Sequence, residues 1–224
     1  EMTVVSKNRF INISSLSYLL GAETNLATVG PNSLKQALRK LEKLLKDEGI
    51  EFDVQNAKIS RIDLTLNLKL PNPVFYYFPV LRLLQPTGFE KHEHDGTNLT
   101  FRKSNENSII LYDKLEQLKR SKDIPVEQNR AFFGLSKDEH VLRVEHQFRR
   151  ARQAQQHLGI SSVSDLMQNR NMLASVIKEE FKNMLSCINN DSLNLVKNDL
   201  NEHYILSTHI KGNETLYYHF GLLR

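Results

Sequence analysis

The chain has 224 residues, 40% of them hydrophobic, with a formal net charge of +4 and a pI near 9.1. That is enough apolar material for one large domain or a domain with a small extension, and its mild basic bias suits a polyanionic partner. The single cysteine, Cys187, excludes an internal disulfide and fits a reducing compartment, no apolar run reaches the roughly 18 residues of a membrane span, and no secretory leader opens the sequence.

Asn8 to Ile13 reads as a first strand. Pro31-Asn32-Ser33 then predicts a helix start, with Asn32 or Ser33 as the cap. Leu34, Ala37, Leu38, Leu41, Leu44 and Leu45 recur at helical spacing, Lys35, Arg39, Lys40, Lys43 and Lys46 fill the outer side, and Gly49 ends the helix. Ile50 to Val54 reads as a strand, turning at Asn56-Ala57-Lys58 into the clearest stretch of the chain. From Arg61 to Leu70 the residues alternate without a break. Arg61, Asp63, Thr65, Asn67 and Lys69 share one face; Ile62, Leu64, Leu66, Leu68 and Leu70 share the other. Pro71 and Pro73 end this strand.

Val74 to Leu84 predicts a helix, and Pro86 to Asp95 a loop. Asn98 to Arg102 and Ser108 to Tyr112 form a second hairpin around Ser104-Asn105-Glu106-Asn107. A charged helix follows from Asp113 to Lys122, then an irregular stretch from Ile124 to His140. Val141 to Phe148 alternates again, with Arg143, Glu145 and Gln147 on one side and Leu142, Val144, His146 and Phe148 on the other. Arg149 to His157 predicts a basic helix stopped by Gly159. Ser161 to Leu166 carries a new cap, and Asn169 to Asn190 predicts one or two amphipathic helices. Asp191 to Ser207 reads as helical, and Leu216 to Leu222 as a short helix or strand. The expectation is an α+β chain with an antiparallel sheet, a sheet-based domain over 1–160 and a helical region over 161–224.

No Gly-rich phosphate loop, dinucleotide fingerprint or serine nucleophile elbow occurs, which disfavours ATP- and NAD-dependent chemistry. The polar faces offer something else. Asp63, Tyr112 and Glu145 each stand on the polar side of a predicted strand. Were these strands neighbours, two carboxylates and a phenol would share a surface. Paired carboxylates suit a hard divalent ion, and a tyrosine beside one can attack phosphorus. An ordinary ion-paired sheet face explains the same residues. Lys114, Arg61 and Arg143 supply positive charge nearby in sequence. His92 and His94, at i and i+2, could grip one metal or belong to a solvated loop. His140 and His146 read as structural. Tyr76 and Tyr77 lie in an aromatic segment that a core or a base-stacking surface explains equally.

Four motifs in this order resemble the replication initiators of filamentous phages and related plasmids. They are Arg61-Ile62-Asp63-Leu64-Thr65, Gly96-Thr97-Asn98-Leu99-Thr100-Phe101, Leu111-Tyr112-Asp113-Lys114-Leu115-Glu116 and Leu142-Arg143-Val144-Glu145. Those initiators are rolling-circle endonucleases. The resemblance implies a relaxase-like nicking domain that cuts one origin strand, stays attached to the 5′ phosphate through a tyrosine and leaves a 3′ hydroxyl. It implies a divalent metal, Mg²⁺ or Mn²⁺, DNA as the partner, a host helicase or polymerase beyond it, and the bacterial cytoplasm as the location. Residue by residue it makes Tyr112 the nucleophile and Lys114 the group that binds or activates phosphate. Asp63 and Glu145 become metal ligands or the groups that hold those ligands in place, with His92 and His94 as an altered histidine pair at the metal. Arg61, Arg102, Arg143, Arg149, Arg150 and Arg152 are the arginines expected to meet DNA. Asp113 departs from what DNA binding would favour, since it sets a negative charge beside the nucleophile. Two rivals stay open: a non-catalytic origin or single-strand binding module, and a protein whose helical third binds a host replication factor.

Overall fold

The computed structural model describes residues 2–5, 10–13, 16–21, 30–94, 96, 98–121, 130, 135–188 and 216–223. The strands are β1 (Met2–Val5), β2 (Phe10–Ile13), β3 (Lys58–Leu70), β4 (Glu90–His94), β5 (Asn98–Ser104), β6 (Asn107–Asp113), β7 (His140–Phe148) and β8 (Leu216–Leu223). The helices are α1 (Leu16–Leu19), α2 (Pro31–Asp47), α3 (Phe78–Leu81), α4 (Lys114–Ser121), α5 (Ala151–Leu158) and α6 (Val163–Ser186), with a 3₁₀ turn at Val74–Tyr77. The fold is α+β, an antiparallel sheet with flanking helices. The chain divides into two compact units. One is drawn from Glu1–Leu64, Gln147–Ser175 and Leu216–Arg224, the other from Thr65–His146 and Val176–Thr215.

In the first unit the strand order is β1-β2-β8-β3, with β2 antiparallel to both β1 and β8. β8 settles the choice left open for the end of the chain: it is a strand, and it carries Tyr217 and Tyr218. Helix α2 buries Leu34, Ala37, Leu38, Leu41 and Leu45, whereas Leu44 is 43% exposed and falls off the apolar stripe. Its N-cap is Gly30 rather than Asn32 or Ser33, because Pro31 takes the first helical position; the Ser33 hydroxyl instead donates to the Gly30 carbonyl. Gly49, at φ +70°, ends the helix as expected.

Ile50 to Val54 is not a strand. The Asp53 carboxylate accepts bonds from the Asn56 backbone and side chain and closes a turn. The backbone beyond pairs with the entry to α6: Val163 N–H donates to the Ala57 carbonyl, Ser164 N–H to Gln55, and Ile59 N–H to Ser161. That entry is a capping box, in which Asp165 accepts from the Ser162 N–H and the Ser162 hydroxyl accepts from the Asp165 N–H. Gly159, at φ +69°, ends α5 in the left-handed region.

The second unit holds a five-stranded antiparallel sheet in the order β3-β7-β6-β5-β4. Leu66, Leu68, Phe101, Ile109, Leu111 and Val144 are buried in it. Glu90 to His94, expected to be loop, is the edge strand β4, paired to β5 from Glu90↔Arg102 to His94↔Asn98. Its sequence lacks an apolar alternation because an edge strand needs only backbone pairing, and charged side chains guard it from further pairing. Arg82 grips Glu93 through three hydrogen bonds, and Lys91 donates to the Arg82 carbonyl. The segment expected to be one helix over Val74 to Leu84 is the 3₁₀ turn followed by α3. Pro79 lacks the N–H that a continuous helix would use there. The described part of the stretch expected to hold one or two helices from Asn169 is the single helix α6, ending at Ser186, and the rest of that stretch beyond Ile188, with Asp191 to Ser207, lies outside the described residues.

Candidate active site

The end of β6 and the start of α4 position the central groups. Asp113 closes the strand, and its carboxylate accepts the Glu116 N–H, fixing the strand-to-helix junction. Tyr112 therefore sits on a strand and Lys114 on the first turn of a helix. The Tyr112 hydroxyl donates to Glu145 Oε1 on β7 at 2.6 Å. Arg143 Nη1 lies 3.7 Å from the same oxygen, and Arg143 Nε donates to Asn67 Oδ1 on β3 at 2.7 Å. Lys114 is fully buried; its Nζ donates to Gln117 Oε1 and stands 5.9 Å from the centre of the Tyr112 ring. Two carboxamides that the sequence did not single out, Asn67 and Gln117, thus hold the two buried basic side chains. Asn67 was findable, since it lies on the polar alternation of β3 two residues beyond Thr65; Gln117 carried no signal.

Burial dominates the electrostatics. It pulls the Lys114 amine down to about 6, with the Arg143 charge adding to the effect and Glu145 opposing it. It pushes the Tyr112 phenol up, Arg143 opposing and the Glu145 carboxylate adding. Asp113 is also raised by burial, against the backbone bonds it accepts.

Strand register sets the other groups around this pair. His94 faces Asn98, which faces Tyr112; His92 faces Thr100, which faces Ile110; Glu90 faces Arg102, which faces Ser108. Residues opposite one another share a face, so His92, His94 and exposed Arg102 stand on the Tyr112 face. His94 is two strands from Tyr112, about 10 Å at the usual strand spacing. His92 Nε2 is 3.6 Å from Glu90 Oε2. Asn98, Asp113, Glu116, Gln117 and Arg120 line a small pocket of about 50 Å³ beside the β6–α4 junction. Of the two tyrosines in the aromatic segment that a core or a base-stacking surface explains equally, Tyr77 is sealed in the core.

In the first unit Arg61 clasps Asp63 through both carboxylate oxygens, the shortest contact being 2.6 Å. Arg149 donates twice to the Gln147 side-chain oxygen. Arg149, Arg150 and Arg152 are exposed at and just inside the start of α5. Arg143 differs from the other arginines expected to meet DNA, since its side chain is 1% exposed and its charge is spent on Glu145 and Asn67.

The family model for the N-terminal part of a phage replication-associated protein matches residues 18–175. The chain belongs to this family. Membership in the replication-associated protein family makes it a phage replication initiator. Comparison with curated proteins and with solved structures found no match. Among the described residues of this phage initiator, no helix is long and apolar enough to cross a membrane.

The divalent ion that the resemblance implies can be tested against the donors present. Among the described residues no three His, Cys, Asp or Glu side chains cluster. A small hard ion needs fewer, because it keeps several waters and takes further oxygens from substrate phosphate. Glu145 offers a carboxylate beside Tyr112. The Arg143–Asn67 bond joins neighbouring antiparallel strands, so two residues along each strand Thr65 lies opposite or diagonal to Glu145. The Thr65 hydroxyl is wholly buried and has no hydrogen-bond partner among the described residues. A carboxylate with an orphaned hydroxyl nearby fits such an ion.

Proposed function

We propose that this initiator nicks one strand of origin DNA with Tyr112 and remains joined to the 5′ phosphate. The observation that carries this reading is the 2.6 Å bond from the Tyr112 hydroxyl to Glu145. Attack forms a bond from the phenolic oxygen to phosphorus and breaks the bond from phosphorus to the 3′ oxygen. The phenol proton passes to Glu145, and the departing 3′ oxygen takes a proton from water. Rejoining is the reverse. Phosphoryl transfer rests mostly on positioning and charge neutralisation, and a strand-borne tyrosine whose proton already points at a carboxylate satisfies the first need.

Lys114 supplies part of the second. An amine pulled down to about 6 is largely neutral near pH 7. A phosphate arriving beside it would favour the charged form, so the ammonium develops when substrate is present. Glu145 would hold a divalent cation, which when bound would neutralise charge on the phosphate oxygens.

The experiment is adduct formation on single-stranded origin DNA. The wild-type chain is expected to give a denaturant-resistant protein–DNA species that Tyr112→Phe does not form. An adduct persisting in Tyr112→Phe would defeat the assignment, and mass spectrometry would name the true residue. One observation favours a second reading: the phenol is pushed up by burial, which suits a structural tyrosine in a non-catalytic binding module. Metal-dependent nicking of supercoiled origin plasmid separates the two.

A further inference from the structure

The segment after β3 buries almost every apolar side chain it has. Val74, Tyr77, Phe78, Val80 and Leu81 are each 2% exposed or less. Between Val74 and Tyr77, Phe75 is 59% exposed and Tyr76 51%. Their rings stack on each other, centroids 4.2 Å apart and planes tilted by 30°. The turn holding them is stiff. Pro73 precedes it, the Tyr76 N–H donates to the Pro73 carbonyl at 3.0 Å, and the neighbours on both sides are locked in the core. The two rings are therefore presented in a fixed pose and need no ordering when something lands on them.

The exposed area decides what can land. Two half-exposed aromatic side chains offer about 200 Å² together. A stable protein interface needs about 800 Å² per partner, so the rings alone are too small for one. They match the flat face of one or two unpaired bases. Cationic groups stand at the far end of the same segment. Lys91 Nζ donates to the Arg82 carbonyl at 2.6 Å, and the Arg82 guanidinium lies 5.9 Å from the Phe78 ring. Glu93 offsets the charge of Arg82, which leaves Lys91 as the net positive charge, on the order of 10 Å from the rings by helical rise.

We infer that Phe75 and Tyr76 form a stacking subsite for unpaired bases of single-stranded DNA. This rests on the proposed reading of the chain as a protein that works on one DNA strand, and it adds where bases outside the scissile phosphate are held. Stacking ignores base identity, so the subsite contributes affinity for single strands over duplex and little sequence preference.

The test uses a fluorescein-labelled single-stranded oligonucleotide, the matching duplex and the full chain. Replacing both rings, as Phe75→Ala with Tyr76→Ala, is expected to weaken single-strand binding at least about tenfold, within the range for one or two stacked bases. Duplex affinity and the salt slope should stay unchanged, because no phosphate contact is removed. Both side chains are exposed, so thermal unfolding should move little. The chain contains no tryptophan, so Phe75→Trp gives a single reporter whose fluorescence an unlabelled oligothymidylate should quench. Unchanged single-strand affinity in the double variant, or equal losses on single strand and duplex, would overturn the subsite. Absence of any adduct in the wild-type chain counts against the nicking mechanism, not against the subsite.

Discussion

Tyr112 and Glu145, 33 residues apart in sequence, meet across strands β6 and β7 through one hydrogen bond of 2.6 Å. The bond is charge-assisted, and such bonds contribute roughly 1.5–3 kcal/mol. Tyr112→Phe keeps the ring and its packing, so its cost should be that bond alone. In a Glu145→Gln background the same change should cost only about 1 kcal/mol, since the acceptor is then neutral. Urea unfolding of the four proteins gives the coupling directly. Equal costs in both backgrounds would show that the charge on Glu145 adds nothing to the bond.

Lys114 makes a prediction with a definite sign. Its folded pKa, about 6, lies below the unfolded value of 10.5. Between those two values the unfolded chain binds the extra proton, so stability rises with pH, by up to about 1.4 kcal/mol per unit. Below about pH 6 both states are protonated and the penalty is complete. Lys114→Met removes this dependence. Relative to the wild type it should be more stable, by a margin that grows as pH falls from 9 to 6. Urea midpoints at several pH values check this, and parallel curves for the two proteins would refute it. The same variant should lose adduct formation if the amine serves the phosphate.

What the sequence revealed followed from what alternation can encode. The Arg61 to Leu70 pattern survives intact because β3 has an apolar face in the core and a polar face beyond it. The same logic placed Tyr112 and Glu145 on polar faces, and the structure joins them. Alternation misled at Ile50 to Val54, where Asp53 spends its carboxylate on a turn that no periodicity reports. It was silent at β4, whose edge position asks nothing apolar of Lys91 or Glu93. Burial of Lys114 and Arg143 was also invisible. Long cations usually keep their heads in water, and the carboxamides that hold these two come from other turns and strands. The sequence placed His92 and His94 in a loop, but the pairing of β4 with β5 carries them onto the face of Tyr112.

The exposed arginines carry a prediction about affinity. Arg149 and Arg152 are exposed around the start of α5, and Lys35, Arg39 and Lys43 line the outer face of α2. Each phosphate neutralised on a single strand contributes about −0.7 to the slope of log affinity against log salt. Reversing both charges, as Arg149→Glu with Arg152→Glu, should flatten that slope by roughly 1.4 and weaken binding to all sequences alike. A slope identical to the wild type would mark this face as merely solvated.

Metal dependence can be read without turnover. Titration of the wild-type chain with Mn²⁺ should show binding that Glu145→Gln weakens about tenfold or more. Chelation with EDTA should abolish the adduct. The same titration on Asp63→Asn, His92→Gln and His94→Gln tests the other proposed ligands one at a time. A ligand shows the loss seen with Glu145→Gln, and a bystander keeps wild-type affinity. Wild-type affinity in Glu145→Gln would remove this carboxylate from the metal proposal while leaving its bond to Tyr112 untouched.

The last prediction concerns the opposite side of β7. His146 is 5% exposed, and its two ring nitrogens meet Glu180 Oε2 on α6 at 2.6 Å and Asn107 Oδ1 on β6 at 2.7 Å. The Phe89 ring stands edge-on, its centroid 6.2 Å away. One imidazole thus ties a helix and two strands of the second unit together, and its neighbour Glu145 lies on the strand it anchors. His146→Phe would fill the space but leave the buried Asn107 carboxamide and the partly buried Glu180 carboxylate without their partner. Stranding buried polar groups costs about 1–3 kcal/mol each, so a loss of roughly 2–4 kcal/mol is expected. Glu180→Leu in the His146→Phe background should recover part of it, because the stranded carboxylate is then gone. If His146→Phe lowers stability by less than about 1 kcal/mol, the bridge is not what holds α6 to the sheet. At a temperature where the variant remains folded, adduct formation by Tyr112 should persist, since His146 lies on the face of β7 that points away from the phenol.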